Sequence, residues 1–226
     1  MDAAAIASRA CPVLFLDTCS LLDIMRDPTR DTARPADRLV AFELVAAMEA
    51  NRLTCILAQQ VKVEFSEHDQ RTQDEAEQKL QKLRDQVHRV NALAELYGAV
   101  GTVDLTHLSD HVTRARALVQ RYLAQAIEAL PSAEAPGRAF ARVNKGIAPA
   151  RKGKDSSKDC LVYETCMEAA IALRENGLAT PIVFLSSNTT DYRDGQALRP
   201  EVNLDFQPLN IQYAANIGHA KFLLGL

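Results

Sequence analysis

Residues 13–24 read V-L-F-L-D-T-C-S-L-L-D-I and constrain the fold more than any other stretch of the chain. The four consecutive apolar residues Val13–Leu16 predict a strand that is covered on both faces, as in a parallel sheet. Asp17 follows, Thr18 can cap a helix, and apolar residues then recur at helical spacing. Since chemistry in open α/β sheets lies beyond the carboxyl ends of the strands, Asp17 is either a candidate site residue or only a helix cap.

Other segments continue this alternation of strands and helices. Short apolar runs at 53–58 and 181–186 predict two more buried strands, and 203–206 predicts a fourth, short strand. The predicted helices cover residues 37–51, 67–97, 109–130, 158–176 and 211–224. The alternation predicts an α/β protein, here a three-layer α/β/α fold with a central, mostly parallel sheet. We expect one domain over residues 1–226 with a helical insertion at about 67–137.

Composition argues against several classes of protein. The chain has 226 residues and a formal net charge of −3, so it carries no overall charge signal for nucleic-acid binding. Its five cysteines are an odd number without a C-x-x-C pair, which argues against a disulfide-stabilised secreted protein. The N-terminus is a poor signal peptide, and no apolar run approaches the ~18 residues of a membrane span. We therefore expect a cytoplasmic protein with no membrane contact.

Positive charge is concentrated in residues 138–158, where seven Lys and Arg residues stand against a single acid, Asp155. Charge segregated in this way predicts either an anionic partner or a solvated surface loop. The segment leads directly into Asp159, which favours a functional interpretation. The candidate nucleic-acid-binding residues are Arg151, Lys152, Lys154 and Lys158.

Four acidic residues stand where predicted strands end or helices begin. Asp17 and Asp191 follow strands, whereas Glu64 and Asp159 lie at helix starts. The alternatives are that the aspartates cap helices and that Glu64 faces solvent. In a parallel sheet these positions converge on one edge, where four carboxylates repel one another unless a cation binds. One or two Mg²⁺ or Mn²⁺ ions suit such oxygen ligands, and the pattern predicts a metal-dependent phosphodiesterase.

Four short motifs carry a resemblance to a known family. They read V-L-F-L-D-T-C-S-L-L at 13–22, V-K-V-E-F at 61–65, S-S-K-D-C-L-V-Y-E at 156–164 and I-V-F-L-S-S-N-T-T-D-Y at 182–192. In their order and local structure they resemble the PIN-domain ribonucleases, and among these the longer bacterial PIN-like proteins rather than the short toxins. The interval between Glu64 and Asp159 is far longer than in the short toxins and holds two long helices and the basic segment.

The resemblance implies an endoribonuclease that cleaves single-stranded or structured RNA by attack of water on phosphorus. It implies metal binding and catalysis by Asp17, Asp159 and Asp191, with Glu64 holding the metal or its water. Asp194 is an alternative to Asp191, which we prefer because it follows the strand sooner. The residues that would support the site are Thr18, Ser187, Asn188 and Glu164, although Glu164 could instead face solvent.

Other functions stay open at this point. The chain could be a catalytically silent PIN-like module that binds RNA or a protein, or the toxin of a toxin–antitoxin pair with an antitoxin partner. Exposed helices around residues 67–90 could pair two copies into a homodimer. An aspartate-nucleophile phosphatase is disfavoured, because its D-x-D motif would need an acid at Cys19. A cysteine enzyme is also disfavoured, since nearby acids raise the pKa of a thiol.

Overall fold

The computed structural model describes residues 1–226 and is built around a five-stranded sheet in which every pairing is parallel. In spatial order the strands are β3, β2, β1, β4 and β7. Their bounds in chain order are Val13–Leu16 (β1), Thr54–Ala58 (β2), Ile127–Ala129 (β3), Ile182–Leu185 (β4) and Ile211–Ala214 (β7). Two short strands, Arg193–Asp194 (β5) and Ala197–Leu198 (β6), form a separate antiparallel hairpin. The predicted α/β fold with a mostly parallel central sheet is confirmed.

Helices connect the strands and cover both faces of the sheet. The first five are Ala3–Ser8 (α1), Thr18–Asp23 (α2), Pro35–Glu49 (α3), Gln59–Leu96 (α4) and His111–Gln125 (α5). The others are Ala135–Lys145 (α6), Ser157–Glu175 (α7), Thr189–Tyr192 (α8), Pro200–Phe206 (α9) and Ile217–Leu224 (α10). Helices α3, α5 and α10 form one layer, whereas α1, α6 and α7 pack together in the other. No helix combines the length and apolar character needed to cross a membrane.

The central strand explains why the chain folds around its first apolar run. All four residues of β1 are buried, and β1 pairs with β2 on one side and β4 on the other. A strand with neighbours on both edges and helices on both faces must be apolar throughout, as Val13–Leu16 is. Leu16 lies opposite Leu185, so the residues after β1 and β4 emerge side by side at the carboxyl edge.

In the long segment between β2 and α7, the bounds of the helices and strands differ from the predicted ones. Helix α4 runs without interruption for 38 residues, about 57 Å at 1.5 Å per residue, and so includes the region around Glu64. Ile127, expected on a helix, instead begins the edge strand β3, which pairs with β2. Half of the basic segment is helical rather than a loop, since α6 starts beside Pro136 and ends at Gly146, whose φ of +62° suits glycine.

The C-terminal prediction was wrong in two places. Residues 203–206 belong to helix α9, because Pro200 opens a helix and the buried Val202 and Phe206 lie four residues apart on one face. Residues 211–214 form β7 rather than the start of a helix. The last helix begins after Asn216, whose side chain accepts a hydrogen bond from the His219 amide at 2.8 Å.

Candidate active site

Asp17 lies at the carboxyl end of the central strand and caps α2, one of the two roles that the sequence left open for it, whereas Thr18, the other possible cap, is the first residue of the helix. Its side chain accepts hydrogen bonds from the Thr18 amide and the Ser186 hydroxyl, both at 2.7 Å, and from the Cys19 thiol at 3.2 Å. Only 6% of the residue is exposed. Burial raises the pKa of Asp17, and the negative charge of Asp159 adds to the shift.

Glu64 reaches the same edge from the second turn of α4, which starts directly after β2. Its Oε2 accepts a hydrogen bond from the Thr18 hydroxyl at 2.7 Å, so one threonine connects the helices that carry Asp17 and Glu64. Burial raises the pKa of Glu64, and the charges of Asp17 and Asp159 raise it further. Glu64 therefore faces the other acids rather than bulk solvent.

Asp159 and Asp191 approach from the opposite side of the site. Asp159 lies in the first turn of α7, and burial raises its pKa although the nearby Lys154 opposes the shift. Asp191 lies in α8, after β4, and is fully buried. The Asn188 amide donates a hydrogen bond to its Oδ2, whereas its Oδ1 has no hydrogen-bond partner. The alternative acid, Asp194, is exposed in β5.

Lys154 connects these two aspartates. Its Nζ donates to Asp159 Oδ2 at 2.9 Å and to Asp191 Oδ2 at 2.8 Å. Burial lowers the pKa of Lys154, but the hydrogen bonds and charges of the two carboxylates outweigh it, and the net shift is upward. The Arg151 guanidinium lies 3.6 Å from Asp191 Oδ1 and donates to the Thr190 hydroxyl at 3.1 Å.

The rest of the basic segment lies on the protein surface or pairs with an acid outside this site. Lys158 pairs with Glu67 at 2.6 Å, and Lys152 is exposed. Arg138 and Arg142 instead form ion pairs with Glu164. That glutamate is buried, and it lines a different cavity from Asp17.

A cavity of about 330 Å³ opens over the acids. Asp17, Glu64 and Asp159 all line it, together with Thr18 and Asn188. One face of α4 forms a wall of this cavity, and the residues on that face recur at intervals of three or four. They are Glu64, His68, Arg71, Thr72 and Glu75.

Sequence reasoning missed some of these contributions. His68 is exposed, as expected, but it also lies one turn after Glu64 on the cavity face, and Arg26 lines the same cavity. The four-residue interval between Glu64 and His68 was a usable signal. Ser186 was also missed, although Ser187 and Asn188 were named. The reason is that only the pairing of β1 with β4 brings Ser186 against Asp17.

The structure also argues against a cysteine nucleophile. Burial and the charge of Asp17 raise the pKa of the Cys19 thiol to about 12. Burial raises the pKa of Cys160 to about 11. Because only a thiolate is a strong nucleophile, neither cysteine suits covalent catalysis at neutral pH.

The donor chemistry of the site fits a hard divalent cation. No three His, Cys, Asp or Glu side chains form a ready-made metal cage. The available donors are nevertheless carboxylate oxygens, the charge of Asp159 raises the pKa of both Asp17 and Glu64, and Asp191 Oδ1 is buried without a hydrogen-bond partner. A divalent cation that binds a few of these oxygens, with water as its remaining ligands, would account for all three observations.

Comparison with known families gives one match. The family model described as a PIN domain matches residues 14–192, a range that includes all four acids. Searches of curated proteins and of solved structures find no match. Members of this family are generally nucleases and typically use divalent metals. Because the match covers most of the chain and the parallel sheet agrees with it, the chain belongs to the PIN domain family.

Proposed function

We propose that this protein is a metal-dependent endoribonuclease that hydrolyses RNA phosphodiester bonds with Asp17, Glu64, Asp159 and Asp191. The observation that carries the proposal is the cavity lined by three carboxylates that come from three separate places in the fold, the turn after β1, α4 and α7. The buried Asp191 is joined to this group by the hydrogen bonds of Lys154. Such a cluster of like charges lowers the free energy of unfolding. Its presence is explained if it binds a cation and, through that cation, a phosphate substrate.

The roles of the residues follow from their contacts. Asp17 and Asp159 offer carboxylate oxygens to Mg²⁺ or Mn²⁺, and Glu64 holds either the ion or its water. When bound, the ion supplies Lewis acidity for the attack of water on phosphorus and stabilises charge on the leaving oxygen. Thr18 orients Glu64, and Ser186 orients Asp17, each through a hydrogen bond of 2.7 Å. Asn188 orients Asp191 in the same way.

The surroundings of the acids support a nucleic-acid substrate. Arg26 and Arg71 line the same cavity, so a phosphate backbone that follows this cavity would meet positive groups beyond the acids. Arg151, Lys152 and Lys158 lie on the segment next to Asp159 and would extend this path. RNA is the substrate class that we propose, single-stranded or structured.

Cleavage of end-labelled RNA and DNA tests the proposal, with EDTA, Mg²⁺ or Mn²⁺ present. We expect metal-dependent cuts within RNA that disappear in Asp17→Asn and in Asp159→Asn, with a loss of at least about 100-fold. Asp194→Asn is the matched control, because this acid is exposed outside the cavity and should cut like the wild type. Cleavage that survives Asp17→Asn, or that needs no metal, would contradict the proposal.

One observation favours a second candidate, a catalytically silent module that binds RNA. Lys154 and Arg151 already offset part of the acidic charge, so the site is partly neutralised by the chain itself. A module of this kind would retain its RNA affinity in EDTA and in Asp17→Asn, and it would cut nothing under any metal condition. A gel-shift series with the same three variants distinguishes the two candidates.

A further inference from the structure

The four acids of the site form two pairs, which differ in whether a basic side chain lies between their carboxylates. Asp17 and Glu64 are joined through Thr18, and neither forms an ion pair with a basic residue. Asp159 and Asp191 are joined through the Lys154 ammonium, at 2.9 and 2.8 Å. The first pair therefore has no basic side chain beside it, whereas the second pair contacts the positive charge of Lys154.

Although 43% of its side chain is exposed, Lys154 is held at its ammonium by two carboxylates. Its two acceptors come from different elements, α7 and α8, and the Asp191 side chain is only 1% exposed. Charge-assisted hydrogen bonds to two carboxylates are stronger than a single exposed ion pair. Asp159 and Asp191 are the carboxylates that would hold a second metal ion in a two-metal site, and the Lys154 ammonium places a positive charge between them instead.

We propose that Lys154 is a built-in cation of the active site that replaces a second divalent ion, so that the site binds one metal ion, held by Asp17, Glu64 and the Asp159 oxygen that Lys154 does not contact. This inference rests on the proposed nuclease function and deepens it. Charge supports it: four carboxylates carry four negative charges, and Lys154 and Arg151 offset two of them at Asp191. One divalent ion then brings the site to neutrality.

The same geometry gives Lys154 a role toward the substrate. An ammonium has three N–H donors, and Lys154 uses two of them on Asp159 and Asp191. The third is available to an oxygen of the scissile phosphate, whose negative charge grows as water attacks.

The test is the number of Mn²⁺ ions bound by the metal-free protein, counted by electron paramagnetic resonance and by calorimetry. Wild type should bind one ion. Lys154→Met should bind two, because the Asp159–Asp191 pair is then free for a second ion. Lys152→Met is the matched control, since this exposed lysine of the same loop touches neither aspartate, and it should bind one ion.

The outcomes separate this inference from the proposed function. Two ions in the wild type would overturn the role of Lys154, because a second metal ion would then displace it, while the metal-dependent nuclease would stand. A single ion of unchanged affinity in Lys154→Met, in a variant whose circular dichroism matches the wild type, would also overturn it. No bound ion in the wild type would overturn the metal-dependent function, and this inference with it.

Discussion

At the scale of a single residue, Asp17 is a carboxylate of the candidate site whose burial opposes folding stability. Three groups donate hydrogen bonds to its carboxylate, yet no basic side chain offsets its charge. Because burial is the largest influence, the pKa of Asp17 is higher in the folded chain than its ordinary value of 3.8. The folded state thus binds the proton more tightly than the unfolded state, and the free energy of unfolding falls as pH rises from 3.8 through the raised pKa.

Replacing this charge should therefore stabilise the metal-free protein. We expect Asp17→Asn in EDTA to melt at a higher temperature than the wild type at pH 7, and we expect the difference to vanish below pH 3.8, where both chains are neutral at this position. Differential scanning calorimetry across this pH range measures both effects. A lower melting temperature for Asp17→Asn at pH 7 would show that the hydrogen bonds of the carboxylate outweigh its burial.

Metal should reverse this order of stability. An ion that binds only the folded wild type adds about 2.7 kcal/mol at a concentration of 100 times its Kd. Asp17→Asn should gain far less, because it lacks one of the carboxylates that we assign to the metal. The same calorimetric series with Mg²⁺ or Mn²⁺ added tests this expectation, with Asp194→Asn as the control for a lost surface charge.

At the scale of one element, helix α4 both carries the acid Glu64 and forms a wall of the cavity beyond it. Its first turns follow β2 and bring Glu64 to the sheet edge, and the next turns present His68 and Arg71 to the cavity. Arg71 is paired with Glu75 at 2.8 Å, but both side chains are well exposed. An ion pair of this kind contributes little and can be exchanged for a phosphate contact.

Arg71 is therefore expected to contribute to substrate binding rather than to chemistry. Arg71→Ala should raise the KM for RNA about fivefold, leave kcat nearly unchanged and lower the salt dependence of binding by about one unit. Arg89→Ala is the control, because this exposed arginine lies further along the same helix, outside the cavity. A KM that shifts equally in both variants would mean that the effect is only one of net charge.

At the scale of the whole molecule, the most unusual surface is the distal end of α4. Its apolar residues continue at intervals of three or four beyond the buried Ala76 and Leu80. Three of them are more than half exposed, Val90, Leu93 and Leu96, and the exposed Tyr97 and Val100 follow directly after the helix. Their combined surface, on the order of 500 Å² per chain, approaches what one partner contributes to a small specific interface.

We expect this surface to pair two copies of the chain into a weak dimer. Light scattering during size-exclusion chromatography, at rising protein concentration, should show the mass moving toward twice that of the monomer. Leu93→Glu should remain monomeric, since a charge would then be buried at the centre of the interface. Lys79→Glu, an exposed change elsewhere on α4, should dimerise like the wild type. A wild type that stays monomeric at high concentration would contradict the expectation.

The sequence by itself determined the features that depend on local chemistry. An uninterrupted apolar run followed by an aspartate is sufficient to predict β1 and the position of Asp17 at its end, because hydrophobic periodicity and helix-start signals act over a few residues. The order of the four acids was sufficient to predict the family, and the family match over residues 14–192 confirms this prediction. Assignments of metal, RNA substrate and antitoxin partner stay predictions.

Only the tertiary structure decided the features that depend on contacts between distant residues. The basic segment looked uniform in sequence, yet Arg142 pairs with the structural Glu164, whereas Lys154 turns toward Asp191. Strand β7 is a short, partly exposed edge strand whose identity comes from its pairing with β4. In each case the energy comes from a partner many residues away, and the local sequence pattern carries no record of that partner.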